Sequence, residues 1–296
     1  MSSFPTFGKP DMELKLLCPA KVNLFLKVLR KRDDGYHELS TLMHKIGLFD
    51  TVTVTVSEGS GISVDAGGAD IPQDSSNIAF KAAALFLKAA AVDKKVAIKI
   101  EKSIPVGAGL AGGSTDAVGV LKALNVLHGR PLDEKALKNI ALECGSDVPF
   151  FLIDSSAAIG TGRGEVLTDV RVDAGIWYVL QNPGFQVSTA KVYGNLALTK
   201  NAEDNILNSL KDRAFDTKAV LAFMQNDLER VTLSMHPEIA EMKRLLKEAG
   251  ALASMMSGSG PTVFGVFFDY ASAKKAYEQL SGTLKAPMRV FLARGL

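Results

Sequence analysis

The sequence predicts an α+β fold in two domains, and three observations carry that expectation. The chain has 296 residues, and beyond about 250–300 residues a single core usually divides. Strand-like and helix-like segments mix without regular β–α alternation, which argues against a doubly wound parallel sheet. A glycine-rich turn, VGAGLAGGST, opens onto a helix with no strand running straight into it.

The elements follow in order. Residues 20–29 alternate, with Val22, Leu24, Leu26 and Val28 on one face and Lys21, Asn23, Phe25 and Lys27 on the other, as in a half-buried strand. Lys21 and Asn23 then point the same way. Asp33-Asp34-Gly35 is a turn signal, and DTVTVTV at 50–56 reads as an antiparallel strand. A helix is expected over 77–91, capped by Ser75, Ser76 or Asn77, and a strand over 96–100. A helix over 115–128 stops at Gly129, with Ser114 as its cap and Asp116 in its first turn; another opens after Pro131 and stops at Gly145, expected in the left-handed C-terminal conformation. VPFFLI then runs inward, and GTGRGE at 160–165 is taken as the approximate domain boundary. The second half predicts strands at 176–181, 262–268 and 288–292, and helices around 218–229, 237–249 and 272–280.

Composition excludes several classes. With 47% hydrophobic and 22% charged residues the chain reads as globular rather than disordered. No apolar run approaches the roughly 18 residues of a membrane span. The N-terminus lacks the pattern of a signal or transit peptide, so a cytoplasmic location is the default. A net charge of +2 with both signs scattered gives no nucleic-acid-binding stripe. Cys18 and Cys144 form no C-x-x-C pair and read as structural thiols. His37-Glu38 is followed by Thr41 where a zinc protease needs a second histidine, so no protein-ligated metal site is expected.

Gly107, Gly109 and Gly112 fall at G-x-G-x-x-G spacing, yet a dinucleotide-binding turn fails here. Residues 101–106 separate the strand from Gly107, and the acids at the right distance, Asp133 and Glu134, lie at a helix start. No Gly-Lys-Ser/Thr closes the run, which removes a Walker loop. What the residues allow is a backbone that approaches an anion closely, next to a helix N-terminus carrying about half a positive charge; a capped helix after a flexible turn is the plainer alternative.

PVGAGLAGGST at 105–115 resembles the second motif of the GHMP kinases. PAKVNLFLKV, RDDGYHEL, GSDVPFF, GTGRGE, NDLE and MSGSGPTVFGVF, in the expected order over 19–267, resemble one subgroup of that family. The resemblance implies an N-terminal ATP-binding kinase domain (1–160) related to ribosomal protein S5 domain 2, and a ferredoxin-like C-terminal GHMP kinase domain (161–296), with a site in the cleft between them. It implies transfer of the ATP γ-phosphoryl to the 2-hydroxyl of a cytidine-diphosphate-linked methylerythritol, in the non-mevalonate route to isoprenoids.

Site residues are carried over motif by motif. Lys21 matches the catalytic lysine of PAKxN, and Asp147 the aspartate of GSDVPF, which accepts the hydroxyl proton with Lys21 close by. Pro105, Val106, Gly107, Ala108, Gly109, Leu110, Ala111, Gly112, Gly113, Ser114 and Thr115 make the ATP phosphate cradle. Ala111 stands where the family usually has glycine, which a negative φ allows. Asn23, Tyr36, His37, Thr189 and Tyr193 are assigned to the substrate, with Tyr36 and His37 stacking on and hydrogen-bonding the cytosine and Tyr193 closing its other side. Asn77 is a candidate for the adenine pocket. The turn at 258–261 either buttresses the phosphate loop or is a tight turn before the next strand. Mg2+ is expected with the ATP, held largely by phosphate oxygens and water, with Ser114 as a candidate protein ligand. The implied partner is a small molecule with a cytidine diphosphate group, with no nucleic acid and no membrane, on a monomer or homodimer. Two other readings stay open: a mevalonate-type or homoserine-type kinase of the same family, which needs no pyrimidine-stacking pair, and an inactive GHMP-like binding protein, expected to lack Lys21, Asp147 or the glycines.

Overall fold

The computed structural model describes residues 11–173, 175–197, 214–283 and 286–296. The residues read above for targeting signals lie largely outside that set. The chain forms two compact units, one of Met1–Cys18, Phe49–Ser103 and Gly113–Leu152, the other of Pro19–Leu48, Ile104–Gly112 and Ile153–Leu296. Two long strands, β1 (Met12–Lys31) and β2 (His37–Ser57), contribute residues to both. The expected α+β class is found. Among the described residues no helix is long and apolar enough to cross a membrane.

In the first unit the second half of β2 pairs antiparallel with β4 (Lys95–Glu101), which pairs parallel with β3 (Ile62–Asp65). The period-two pattern of TVTVTV explains the register: Val52, Val54 and Val56 stand opposite Ile100, Ile98 and Val96, and all six are buried. Burial of such side chains contributes about 1.5–3 kcal/mol each. Helices α1 (Ile78–Ala89), α2 (Gly112–Leu127), α3 (Glu134–Cys144) and α4 (Val148–Leu152) complete it. Asn77 caps α1 through Ala79 N–H, and its amide donates to Pro72 O at 2.6 Å, so its side chain is occupied locally. Gly119, inside α2, lets Cys18 approach: a Cβ there meets Cys18 Sγ at 2.5 Å.

Several sequence expectations need correction. Residues 18–26 of β1 are buried on nearly every side chain, Lys21, Asn23 and Phe25 included, so this strand is covered on both faces rather than half-buried. Helix α2 begins at Gly112, so Ser114 lies inside its first turn and is not its cap. Gly129 does take the left-handed conformation (φ 74°), but Gly145 has φ 166°, extended backbone leading directly into α4. The VPFFLI segment becomes that short buried helix.

The second unit holds β5 (Ala157–Gly162), β6 (Val166–Val172), β7 (Trp177–Asn182), α5 (Thr189–Gly194), β8 (Ala214–Phe215), α6 (Thr217–Phe223), β9 (Gln225–Asn226), α7 (Glu229–Met235), α8 (Glu238–Glu248), β10 (Ala253–Met256), β11 (Val263–Phe267), α9 (Tyr270–Thr283) and β12 (Arg289–Arg294). Residues 39–44 of β2 pair with β5, which forms a hairpin with β6 through the turn of GTGRGE. A second sheet runs β10-β11-β7-β12, entirely antiparallel. In chain order that is 2-3-1-4, with helices between its first and second and its third and fourth strands, the ferredoxin-like arrangement the resemblance implied. Ile239, Met242 and Leu246 of α8 and Ala273, Ala276 and Leu280 of α9 share one core with Val179, Val263 and Phe267. The helix expected over 218–229 is broken after Phe223, because Gln225 and Asn226 pair with Phe25 and Leu26 of β1, and Val28 N–H donates to the Asp227 carboxylate.

Candidate active site

The glycine loop is anchored from both of its neighbours in the second unit. Leu110 O accepts from Lys21 N–H of β1 at 3.1 Å, Ala108 O from Thr262 N–H at 3.3 Å, and Gly109 O from the Ser257 hydroxyl at 2.9 Å. Ala108 and Leu110 are buried, whereas Gly107 and Gly113 are exposed, so apolar side chains fix the loop. Gly107 and Gly109 have φ of 62° and 76°. At Gly109 glycine is required twice over, since a Cβ meets Ser257 O at 2.1 Å. Ala111 has φ 57°, so the condition for harmless alanine is not met and this position is strained.

The turn at 258–261 does buttress this loop. Gly258 (φ 55°) and Gly260 (φ 82°) shape it, the Asn226 amide donates to Met256 O and Gly258 O at 2.8 Å each, and Thr232 donates to Ser259 O. The Ser259 and Thr189 hydroxyls are 2.8 Å apart, which ties the start of α5 to the same turn.

Lys21 and Asn23 lie side by side on β1, as the alternation predicts. Lys21 Nζ donates to Asn23 Oδ1 at 2.5 Å, Asn23 Nδ2 to Thr41 Oγ1 at 2.9 Å, and Thr41 Oγ1 to Phe25 O at 2.7 Å. The backbone N–H of Asn23 donates to the same Ser257 hydroxyl that reaches Gly109. One hydrogen-bonded run therefore connects Lys21 to the glycine loop through Ser257. Sequence reasoning had no residue-level signal for Thr41, a threonine within an apolar strand. Ser257 and Asn226 lay in quoted motifs, but bonds to distant backbone are not legible from local pattern.

Asp147 belongs to the first unit, half-buried immediately before α4. The same unit contains a buried cluster that the sequence did not disclose: Lys102 bonds to both Asp50 and Asp116, the latter at 2.8 Å. Burial, followed by the opposing pull of Lys102, leaves the Asp116 carboxyl pushed up to about 7. Burial also pushes the Cys18 thiol up to about 12 and Cys144 to about 11, which suits inert structural thiols.

The aromatic residues assigned to the substrate make two separate contacts in the second unit. His37 and Tyr193 stack with ring centroids 5.0 Å apart and planes at 29°, which leaves no space for a third ring between them. Tyr36, 53% exposed, instead has the Arg163 guanidinium 4.7 Å from its ring centre. Partial burial, then the Lys31 charge, hold His37 below the usual histidine value, so it is neutral near pH 7. Among the described residues no group of three or more His, Cys, Asp or Glu side chains is placed to hold a metal ion.

Residues 77–155 match the family model for the GHMP kinases N terminal domain, and residues 200–286 that for the GHMP kinases C terminal. With the α+β fold and the glycine loop opening α2, these matches define the class: a small-molecule kinase of the GHMP family. The 4-diphosphocytidyl-2-C-methyl-D-erythritol kinase of Geobacter sulfurreducens is 45% identical over 269 residues, 90% of this chain and 95% of its own, and that of Syntrophotalea carbinolica is 44% identical over 265 residues, 90% and 93% of the two chains. The crystal structure of a 4-(cytidine 5'-diphospho)-2C-methyl-D-erythritol kinase superposes with a TM-score of 0.79 at 33% identity, covering 96% of this chain and all of the other. Within its class the chain therefore belongs to the 4-diphosphocytidyl-2-C-methyl-D-erythritol kinase family. A homoserine kinase from Cytophaga hutchinsonii, at 18% identity and a TM-score of 0.75, shares the fold alone.

Proposed function

We propose that this protein transfers the γ-phosphoryl of ATP to the 2-hydroxyl of 4-diphosphocytidyl-2-C-methyl-D-erythritol, giving the 2-phosphate and ADP, a step of non-mevalonate isoprenoid biosynthesis. The observation that carries the phosphoryl-transfer chemistry is the glycine loop, clamped through three successive carbonyls. With those carbonyls consumed, the loop and the first turn of α2 offer backbone N–H groups to phosphate oxygens. The names of the relatives, at 45% and 44% identity over nine-tenths of the chain, support the substrate.

Phosphoryl transfer asks a protein chiefly to position reactants and stabilise charge. The cradle is assigned to residues 105–115, with Gly109 letting the loop lie against Ser257. Asp147 accepts the proton of the attacking hydroxyl, a contribution typically about 10²–10⁴ in rate. Lys21, oriented by Asn23, supplies fixed positive charge toward the developing phosphoryl charge. Neutral His37 presents one donor and one acceptor, the combination that reads a cytosine edge. Tyr36 offers a stacking surface, and Thr189 and Tyr193, one helical turn apart on α5, are assigned to the substrate. Mg2+ bound with ATP would neutralise phosphate charge, held largely by phosphate oxygens and water with Ser114 in the first turn of α2 as the candidate protein ligand. We retain 1–160 and 161–296 as the limits of the two family domains and the cytoplasm as the location.

The position of the new phosphate is the test. Phosphorus and proton NMR of the product formed from ATP and the cytidine-diphosphate substrate is expected to show a phosphomonoester on the 2-oxygen. A product phosphorylated elsewhere, or none, contradicts the proposal.

A further inference from the structure

We infer that Arg163 is a positioning residue for pyrimidine recognition: its guanidinium covers one face of the Tyr36 ring, so that a nucleobase stacks only on the opposite face. The inference rests on the reading of Tyr36 as the base platform, and extends it to a residue that reading does not use.

Both side chains come from tight turns whose backbones are fixed. Tyr36 follows Gly35 (φ 84°) at the tip of the β1–β2 hairpin, where Tyr36 O accepts from Arg32 N–H at 2.8 Å and Tyr36 N–H donates to Asp34 Oδ1 at 3.1 Å. Arg163 sits in the β5–β6 turn between Gly162 (φ 72°) and Gly164 (φ 104°). Glu165 holds it twice, accepting from the Arg163 N–H at 2.5 Å and lying 3.5 Å from its Nε. The guanidinium carbon is thereby brought 4.7 Å from the Tyr36 ring centre, inside the range of a cation–π contact. The Asp34 carboxylate is held below the usual carboxylate range by the Tyr36 amide, burial opposing, and by Arg32 and Arg163.

A planar cation on one face of a half-exposed ring does two things. It restricts rotation of the tyrosine, so less ordering remains when a base arrives. It also occupies that face, leaving one stacking surface of defined orientation, next to the His37–Tyr193 pair on the neighbouring residue. An exposed cation–π contact is worth about two- to fivefold in an equilibrium, and the effect on base binding is expected in that range.

A double-variant cycle on the full chain decides the matter, with KM for the cytidine-diphosphate substrate, KM for ATP and kcat as readouts. Arg163→Leu is expected to raise the first about two- to fivefold, with the other two unchanged within about twofold, and Arg163→Lys to recover part of the loss. Added to Tyr36→Ala, Arg163→Leu is expected to have no further effect, because the ring through which it acts is gone. Additive effects in the double variant overturn the inference and indicate a direct contact of Arg163 with the substrate diphosphate. Unchanged KM in Arg163→Leu, where Tyr36→Ala raises it, also overturns the inference while leaving the platform reading intact. Unchanged KM in Tyr36→Ala itself removes the platform reading, and the inference with it.

Discussion

The side-chain oxygen of Asn23 accepts a hydrogen bond from the Lys21 ammonium at 2.5 Å, on a strand where both residues are only 3% exposed. Their spacing of two along β1 puts them on one face, and burial makes the bond matter. Removing one partner of a buried charged hydrogen bond costs about 1–3 kcal/mol. Asn23→Ala is therefore expected to lower unfolding free energy by about that amount and to reduce kcat along with it. Urea unfolding and steady-state kinetics on the same preparation check this; unchanged values for both contradict the assignment.

Asp147 is half-buried at the entrance to α4. Asp147→Asn keeps the shape and removes the base. The expected result is a fall in kcat of at least about a hundredfold with nucleotide affinity and melting temperature nearly intact. Near-normal turnover removes Asp147 from the role.

Ala111 has φ 57° immediately before α2. An alanine in the left-handed region is strained by about 1–2 kcal/mol, partly offset in glycine by its larger unfolded-state entropy. Ala111→Gly is expected to stabilise the protein by about 0.5–1 kcal/mol in urea unfolding. A destabilised variant contradicts the strain.

His44 is fully buried, with Nδ1 2.9 Å from the Tyr178 hydroxyl and Nε2 3.4 Å from Leu296 O. Burial pushes it down to about 4, the contact with Leu296 O opposing. The folded value lies below the unfolded value of about 6.5, so the unfolded chain binds the extra proton. Stability is therefore full above about pH 6.5 and falls as the pH drops toward 4, by about 2–3 kcal/mol at pH 4.5. His44→Gln, which does not titrate, is expected to remove that part of the pH dependence. Parallel pH profiles for the two proteins contradict it.

The local patterns were legible where one rule acted alone. The alternation of TVTVTV marked an antiparallel strand, and the placing of Lys21 and Asn23 on one face followed from a period of two. The glycine loop was legible as a turn that is neither a dinucleotide nor a Walker loop, because both failures were explicit, but its anchoring to Ser257 and Thr262 was not. Long-range hydrogen bonding was not legible. The break of the 218–229 helix depends on Asn226 and Asp227 meeting backbone far along the chain, against a good local helix pattern. The Lys102–Asp50–Asp116 cluster joins residues up to 66 positions apart, with nothing local to announce it. Arg163 was visible only as one letter of GTGRGE, since a cation over a ring is a property of two turns rather than one segment.

The central claim is the substrate, and one comparison tests it most directly. ADP release, followed in a coupled assay with ATP and Mg2+, is measured in parallel with 4-diphosphocytidyl-2-C-methyl-D-erythritol, mevalonate, homoserine and galactose as acceptors. The expected result is turnover of the cytidine-diphosphate compound alone. Turnover of one of the other three, with none on the cytidine compound, contradicts the account.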